Sequence, residues 1–422
     1  MKKVNFLLLF FFFVHYLHAQ KYAGGDISLL DEYENHSALY YDTHGRAIVS
    51  PLEFFKQQGM NTMRVRLFVN PDNATVTEKG EGVCQNLNKV KMLGKRIKEA
   101  GLKLMLDFHY SDTWADPAKQ FTPDAWSSLD DVALQYKIYE YTKEVLMEMK
   151  AFGADPDFIQ TGNEISFGMC WGNRNESGDW KRFDARNTEN AVRFTDLLKN
   201  AGKACREICP DAKVILHIER VTDAVYSVKF YKLMEAMGVD YDIIGLSYYP
   251  YFHGGLDKLN QTLVALETNY PEKDIMIVET GYYHSWQPSS VIYNLSSIYP
   301  ISDEGQKKFA DALVETLRAH NKVKGLFWWW MEANECGLDW STNRVTDNWY
   351  NAGLFDNQTG CAKGAFASFK RFMDEQQSGT DDATVDANKA ESVYSLSGLR
   401  LTENQFGEFK GVFVVNGKKV VK

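Results

Sequence analysis

The sequence lacks three features that would each indicate a particular class of protein: a long hydrophobic run beyond its first residues, a basic cluster and a His-x-His motif. Because a membrane-spanning helix needs about 20 mostly apolar residues, no membrane span is predicted. A net charge of −9 without a basic cluster argues against a nucleic-acid partner. The absence of His-x-His argues against a metal-dependent barrel of the amidohydrolase type, and neither a metal nor another cofactor is predicted.

The first 19 residues have the composition of a secretory signal peptide. Lys2 and Lys3 form a basic start, residues 6–14 are apolar, and Ala19 offers a small residue at the cleavage position. The apolar run is shorter than the roughly 20 residues that a membrane anchor needs. We therefore expect residues 1–19 to be removed and the mature protein to be secreted.

Strand-like runs alternate with amphipathic, helix-like segments through residues 20–375. The eight predicted strands are Tyr22–Ser28, Asn61–Val69, Lys103–Ser111, Phe158–Ser166, Lys213–Glu219, Tyr241–Tyr249, Asp274–Tyr282 and Gly325–Ala333. Eight strand–helix repeats predict an α/β fold, the (β/α)8 TIM barrel. A doubly wound parallel sheet is the rival fold, but no Gly-rich phosphate-binding turn follows the first strand.

The composition changes after the predicted barrel. Residues 376–390 are polar and are interpreted as a linker, whereas residues 391–422 contain short strand-like pieces and the hairpin-forming pair Asn416-Gly417. We therefore predict a short C-terminal β-rich tail. The tail resembles, in shorter form, the sorting domains of type IX secretion, which favours the periplasm or cell surface of a Gram-negative bacterium. A small β-element that packs on the barrel is the alternative.

Cysteine is scarce, with six residues in the chain. Cys205 and Cys209 lie four positions apart on a predicted helix, but no second His or Cys pair accompanies them, so buried thiols are favoured over a metal site. Six cysteines allow 15 pairings, and spacing does not select among them. The preferred bridge joins Cys336 and Cys361, which flank the last predicted barrel element.

Polar residues recur where the predicted strands end. They include Asp107 and His109, Asn163 and Glu164, His217 and Glu219, Ser247 to Tyr249, Glu279, and Trp328 to Trp330. In a (β/α)8 barrel the active site lies at the carboxyl ends of the strands. The pattern therefore predicts that these side chains meet at one rim and form the site of an enzyme.

Glu164 and Glu279 each close an apolar run, on the fourth and the seventh predicted strands. A charged group at the end of a buried strand is costly and needs a reason. A single glutamate there would more often be a salt-bridged rim residue, but two, with Asn163 before the first, favour catalysis. Cleavage of a glycosidic bond requires such a pair of carboxyl groups, one protonated and one ionised.

Several longer stretches carry a more specific pattern. They are Gly24–Ser28, Thr62–Pro71, Leu106–Pro117, Thr161–Ile165, Leu246–Pro250 and Trp349–Asp356. Together they resemble glycoside hydrolase family 53, the endo-β-1,4-galactanases of clan A, over roughly residues 22–372. The resemblance implies a retaining enzyme that hydrolyses β-1,4-galactan in type I arabinogalactan, with Glu164 as general acid/base and Glu279 as nucleophile.

Further residues are expected to contact the substrate or to support the catalytic pair. The resemblance implies that an arginine near the end of the second strand supports the nucleophile, and Arg66 is preferred to Arg64 because it lies nearer the rim. Asp107 and His109 share one face of the third strand, where a buried polar network and contact with sugar hydroxyls are both open. Trp114, in the following loop, is expected to stack on a sugar face.

Four more residues complete the predicted site. Asn163 is expected to hold a sugar hydroxyl, and His217 and Tyr248 are candidate subsite residues. Tyr249 is the alternative to Tyr248 if the strand register differs by one residue. Among the three consecutive tryptophans that close the eighth strand, alternation directs one to the opposite face from the other two, and Trp330 is chosen as the floor of the cleft.

Other functions remain open at this point. The catalytic pair alone would also suit another clan A endo-glycanase, such as a β-mannanase or a cellulase. A non-catalytic galactan-binding protein is the alternative from another class, although retention of both glutamates argues against it. Residues 283–300 lack the Asp-x-Asp pattern that a calcium loop would need, so a calcium site of the kind found in some bacterial family members is not expected. We expect a monomer that binds a polysaccharide.

Overall fold

The computed structural model describes residues 20–176, 180–348 and 350–374, together with four short strands nearer the C-terminus. Two compact units are distinguished, Met1–Met373 and Asp374–Lys422. The predicted signal peptide, residues 1–19, and the predicted linker, residues 376–390, lie outside the described residues. The domain boundaries inferred from the sequence therefore stay predictions.

Eight parallel strands close into a barrel in sequence order, which confirms the predicted (β/α)8 fold. They are β1 (Tyr22–Asp26), β2 (Thr62–Leu67), β3 (Lys103–Phe108), β4 (Phe158–Thr161), β5 (Lys213–Ile218), β6 (Ile243–Tyr248), β7 (Asp274–Thr280) and β8 (Val323–Trp328). The barrel closes where β1 pairs with β8, with Tyr22 opposite Gly325. Each strand ends earlier than the sequence suggested, because its last polar residues belong to the loops at the rim.

Helices connect and surround the strands. They are α1 (Leu30–Asn35), α2 (Pro51–Gln57), α3 (Val76–Gly80), α4 (Leu87–Glu99), α5 (Asp131–Phe152), α6 (Ala191–Ile208), α7 (Ala224–Ala236), α8 (Pro250–His253), α9 (Leu256–Asn269), α10 (Asp303–Arg318) and α11 (Phe366–Met373). Short 3-10 turns occur at Pro71–Asn73, Asp124–Trp126 and Ile165–Phe167. Local sequence sets their ends: Asp130 caps α5 by accepting a hydrogen bond from Ala133 N, and Gly153 ends that helix in the left-handed conformation.

The interior of the barrel has an apolar layer beneath a polar one. Met105, Phe158, Ile215, Met276 and Phe327 belong to one buried apolar cluster. Because side chains alternate along a strand, the residues two positions further on share the same inward face. On β3, β4 and β5 these are Asp107, Gln160 and His217, all fully buried. The polar layer therefore lies directly under the rim.

Irregular strand pairing on both sides of β7 sets the direction of the Glu279 side chain. The pairing of β6 with β7 shifts register after Leu246, so that Ser247 lies opposite Glu279. The pairing of β7 with β8 shifts as well, between Ile277 and Thr280. Such irregularities re-aim side chains near active sites, and here Glu279 joins the polar layer although regular alternation from Met276 would favour Val278.

The second unit contains four short strands, β9 (Val393–Ser395), β10 (Arg400–Leu401), β11 (Val412–Val415) and β12 (Lys418–Val421). They form an antiparallel sheet in the order β10-β9-β11-β12. This sheet agrees with the predicted β-rich tail. Asn416 and Gly417 themselves lie outside the described residues.

The cysteines form no disulfide bond in the structure. All six cysteines are free, so the preferred bridge between Cys336 and Cys361 is not formed, and the Cys361 thiol instead lies 3.8 Å from the carbonyl oxygen of Thr359. Cys205 and Cys209 are buried thiols, as expected.

Every helix among the described residues is too short or too polar to cross a bilayer.

Candidate active site

A cleft of about 580 Å³ opens at the carboxyl ends of the barrel strands. Its walls combine carboxylates with aromatic rings from the loops after β3 to β8. The carboxylates are Asp116, Glu164, Glu219 and Glu279, and the rings belong to Trp114, Tyr249, Tyr251, Phe252, Trp329 and Tyr350. Concave sites with aromatic walls and a few converging polar groups are typical of ligand-binding sites.

Glu279 lies among groups that favour its charged form. Its Oε1 is 2.9 Å from Nη2 of Arg64, and its Oε2 accepts a hydrogen bond of 2.9 Å from the Tyr249 hydroxyl. Burial, with the carboxylates of Asp107 and Asp26, raises the pKa of Glu279 to about 7, while Arg64 and the Tyr249 hydroxyl oppose this shift. Glu279 is therefore held as the more readily ionised member of the predicted pair.

Arg64 is the centre of the polar layer and is fully buried. Its guanidinium meets three carboxylates and two side-chain amide oxygens. These are Asp26 Oδ2 at 2.9 Å, Asp107 Oδ2 at 2.7 Å, Glu279 Oε1 at 2.9 Å, Gln160 Oε1 at 2.8 Å and Asn163 Oδ1 at 2.9 Å. Because an unpaired buried charge is very costly, these contacts fix the guanidinium and its partners in one arrangement.

Glu164 has the opposite surroundings. Burial and the neighbouring carboxylates of Glu279 and Glu219 raise the pKa of Glu164 well above its usual range, and a hydrogen bond from Ser247 only partly opposes this. The residue follows β4 and has a left-handed backbone, with φ 48° and ψ 51°. A protonated Glu164 beside a more readily ionised Glu279 is the combination that an acid and a nucleophile require.

A neutral histidine beneath the cleft orders the hydroxyl that both glutamates contact. His217 Nδ1 lies 3.1 Å from Gln160 Nε2 and 3.3 Å from the Glu164 backbone nitrogen, and its Nε2 lies 2.7 Å from Ser247 Oγ. Burial, with the charge of Arg64, lowers the pKa of His217 well below its usual range. Because the Gln160 amide and the Glu164 backbone N–H both donate toward Nδ1, this nitrogen is the acceptor of the neutral ring. The ring proton is therefore assigned to Nε2, which donates to Ser247 Oγ.

Ser247 also limits the separation of the two carboxyl groups. Its hydroxyl lies 3.5 Å from Glu279 Oε2 and hydrogen-bonds with the Glu164 side chain. Because a hydrogen bond reaches about 3.5 Å, the two carboxyl groups lie within roughly 7 Å of each other.

The structure corrects the choice of arginine. Arg64, not Arg66, contacts Glu279. Arg66 pairs with Asp26 at 2.7 Å, and its guanidinium lies about 5 Å from three tryptophan rings, at 4.8 Å from Trp114, 5.0 Å from Trp329 and 5.2 Å from Trp330. Because Arg66 is one inward position nearer the rim, its side chain lies among the rings of the β3 and β8 loops instead of beside Glu279.

Two further predictions, that Tyr248 and Trp330 line the cleft, are each wrong by one residue. Tyr249 lines the cleft, whereas Tyr248 is fully buried and its hydroxyl donates to Gly254 O at 2.8 Å. Trp329 lines the cleft, whereas Trp330 is buried behind it, with a ring centroid 5.0 Å from that of Tyr350. Trp328 faces outward onto the helices, so alternation directs Trp329 inward, and Trp330 follows in a left-handed conformation.

The remaining predicted residues divide between the cleft and the layer beneath it. Trp114 and Asn163 line the cleft. Asp107, His109 and His217 are buried and belong to the supporting network. His109 accepts a hydrogen bond from Ala115 N at 3.0 Å and lies 3.2 Å from Asp107 Oδ2. Neither His109 nor His217 is among the residues that line the cleft, and their contact with a ligand stays a prediction.

Several cleft residues were not selected from the sequence. They are Asp116, Tyr251, Phe252, His253 and Tyr350. The sequence places Glu219 and Ser247 among the polar residues at the rim, but it assigns neither of them a role. No group of three or more His, Cys, Asp or Glu side chains is arranged to hold a metal ion in the part of the chain that the structure describes.

Comparison with known proteins adds independent information. The sequence model described as Glycosyl hydrolase family 53 matches residues 22–369. The arabinogalactan endo-β-1,4-galactanase of Cellvibrio japonicus is 32% identical, covering 83% of this chain and 90% of the relative. The endo-β-1,4-galactanase of Bacillus subtilis is 30% identical, covering 79% of this chain and 81% of the relative. The solved Ignisphaera aggregans GH53 catalytic domain is similar at a TM-score of 0.71, with 28% identity over 86% of this chain and 98% of that domain.

Replacement of Arg64 tests the buried network without any substrate. In Arg64→Met, Asp26, Asp107 and Glu279 stay buried but lose their shared cation. We expect the free energy of unfolding at neutral pH to fall by about 3–5 kcal/mol. Asp26 keeps Arg66, but Asp107 and Glu279 would have raised pKa values in the folded state, so stability is regained as the pH falls and they bind protons. Urea denaturation at neutral and mildly acidic pH measures both effects.

Arg206 offers a matched control. Its guanidinium contacts Asp240 at 2.7 Å and Asp242 at 2.8 Å, but the side chain is partly exposed. We expect Arg206→Met to cost about 1 kcal/mol or less, because solvent already screens that pair. Equal losses in the two variants, or a loss in Arg64→Met that does not change with pH, would contradict the central role assigned to Arg64.

Proposed function

We propose, because the chain belongs to glycosyl hydrolase family 53, that this glycoside hydrolase is a retaining endo-β-1,4-galactanase. Its substrate would be the β-1,4-galactosidic backbone of type I arabinogalactan, the pectic galactan. The observation that carries the proposal is the pair Glu164 and Glu279 in one cleft, with opposite electrostatic surroundings. The substrate class rests on the galactanase activity of the two relatives that are 30% and 32% identical.

In the first step Glu279 acts as the nucleophile. Its carboxylate attacks the anomeric carbon and forms a glycosyl ester, while the bond from that carbon to the leaving oxygen breaks. Glu164 donates its proton to that oxygen, so the shortened chain leaves as an alcohol. Arg64 and Tyr249, both 2.9 Å from Glu279 oxygens, keep this carboxylate ionised and oriented before the attack.

In the second step the ester is hydrolysed. Glu164, now ionised, takes a proton from a water molecule, whose oxygen attacks the anomeric carbon and displaces the Glu279 carboxylate. The starting protonation states are restored, and the configuration at the anomeric carbon is retained after two inversions. The upper limit of roughly 7 Å, set by the shared Ser247 hydroxyl, accommodates the separation of about 5–5.5 Å found in retaining pairs and excludes most of the range of about 6.5–9.5 Å found in inverting pairs.

The two glutamates also define a working pH range. Glu279 has a pKa of about 7, and the pKa of Glu164 is raised well above its usual range. Because Glu279 has a guanidinium and a hydroxyl donor beside its carboxyl and Glu164 has other carboxyl groups nearby, we expect Glu279 to lose its proton before Glu164 as the pH rises. Between the two ionisations the site contains one carboxylate and one carboxylic acid, which is the state that the first step needs.

We also propose that the protein acts outside the cytoplasm, in the periplasm or at the cell surface, and as a monomer. The composition of residues 1–19 supports export, and a polymeric substrate would be met outside the cell. Export with cleavage after Ala19 would give a mature chain that begins at Gln20. N-terminal sequencing of the exported protein checks this, and a retained Met1 would contradict it.

A substrate panel tests the proposed function. We expect the mature chain to release reducing ends from linear β-1,4-galactan and not from β-mannan or carboxymethylcellulose. Replacement of the nucleophile in Glu279→Ala should lower the rate on galactan by about 1,000-fold or more. The exposed Glu272 gives the matched control, and Glu272→Ala should keep the wild-type rate.

The other outcomes separate the rival functions. Activity on mannan or carboxymethylcellulose instead of galactan would keep the catalytic pair and refute the galactanase assignment. Binding of galactan without release of reducing ends would support a non-catalytic galactan-binding protein. Equal activity of Glu279→Ala and the wild type would refute the assignment of the nucleophile.

A further inference from the structure

The backbone that carries Glu164 is in an unfavourable conformation. Its φ of 48° and ψ of 51° lie in the left-handed region, which costs a residue with a side chain about 1–2 kcal/mol. The 3-10 turn Ile165–Phe167 follows directly. Strained backbone of this kind persists only where neighbouring groups hold it, so the contacts of this turn matter for the position of the Glu164 carboxyl.

A third glutamate holds that turn. The hydroxyl of Ser166 donates to Glu219, with its Oγ at 2.7 Å and 2.5 Å from the two carboxylate oxygens. The hydroxyl of Tyr226 donates to the Ser166 carbonyl oxygen at 2.6 Å. Ser166 is fully buried, so these bonds are not exchanged with water. Glu219, at the end of β5, thereby fixes the segment next to Glu164 from across the cleft wall.

Glu219 also contributes charge to the cleft. It lines the cleft together with Glu164, and only 7% of it is exposed. Burial raises the pKa of Glu219, but the Ser166 hydroxyl and Arg220, whose Nε lies 3.0 Å from Glu219 Oε1, oppose this and favour the carboxylate. Asp116 is the other charged neighbour that acts on Glu219.

Two aromatic rings next to Arg220 hold its guanidinium beside Glu219. Its guanidinium lies 4.5 Å from the Phe167 ring and 5.6 Å from the Tyr226 ring. His253, which lines the same cleft, has its pKa lowered to about 4 by burial and by the charge of Arg220, and is therefore neutral. The charged side chains that act on Glu219 are thus Arg220 and Asp116.

We propose that Glu219 is a positioning residue for Glu164, which it serves by anchoring the Ser166 turn and by placing a further negative charge in the cleft. The inference rests on the proposed function, because it takes Glu164 to be the acid/base. A negative charge nearby makes ionisation of Glu164 less favourable, so Glu219 extends the pH range in which the acid is protonated. Anchoring and charge are separable, because different substitutions remove them.

Two variants separate the roles. Glu219→Gln keeps the size and an oxygen acceptor for Ser166 but removes the charge. Ser166→Ala keeps the charge but removes the anchoring hydroxyl. We expect Glu219→Gln to move the alkaline limb of the kcat/KM profile on galactan down by roughly one pH unit, which is a tenfold loss above that limb. Ser166→Ala should lower kcat while the alkaline limb stays in place.

A leaving group that needs no protonation provides a second readout. With a dinitrophenyl β-galactobioside, general-acid assistance contributes little to departure, so Glu219→Gln should show a loss of no more than about threefold. The exposed Glu272 is again the control, and Glu272→Gln should match the wild type in both assays. An alkaline limb of Glu219→Gln that coincides with the wild-type limb, or equal losses on both substrates, would overturn the inference.

The inference can fail independently of the proposed function. The pKa of the Glu164 carboxyl can be followed without substrate by carbon-13 NMR of glutamate-labelled protein, with Glu164→Gln to assign the signal. A lower pKa in Glu219→Gln supports the inference even if the chain proves inactive on galactan, which would refute only the function. An unchanged pKa in a folded Glu219→Gln variant refutes the inference, whatever the substrate.

Discussion

The structure of the site depends on one buried cation, the guanidinium of Arg64. It lies in the barrel with no exposed surface and holds Asp26, Asp107 and Glu279 within 2.9 Å. Three carboxylates would not share this space without it, because their mutual repulsion and the loss of hydration are both large. The same guanidinium also contacts Asn163, so Glu279 and the residue before Glu164 are fixed by one group. Asp26 extends the network to Arg66 and thereby to the tryptophans beside the cleft.

The division of labour between the two glutamates follows from this network. Glu279 faces a cation and a hydroxyl donor, whereas Glu164 faces other carboxylates. Residues of the same type therefore acquire different proton affinities from their positions alone. The neutral His217 and the hydroxyl of Ser247 lie between them and provide a hydrogen bond without adding charge. This arrangement suits a reaction that begins with one acid and one carboxylate.

Much of this could be predicted from the sequence, because it depends on patterns that survive small errors in position. The alternation of strands with helices predicts the barrel, and polar residues at strand ends predict the rim with Glu164 and Glu279. Arg66, Tyr248 and Trp330 each lie one or two positions from the residue that the structure places in the site, which is Arg64, Tyr249 or Trp329. A shift of one residue moves a side chain to the other face of a strand. The register shift after Leu246 and the left-handed Trp330 are set by packing between strands and loops, which no local pattern records.

The central claim is that Glu164 and Glu279 act as an acid and a nucleophile in a double displacement. The stereochemistry of the first product tests it most directly. Proton NMR recorded during the hydrolysis of β-1,4-galactan distinguishes the newly formed β and α reducing ends before they interconvert. The account predicts that the β form appears first and that the α form grows in later by mutarotation. Initial release of the α form would mean a single displacement by water and would contradict the role assigned to Glu279.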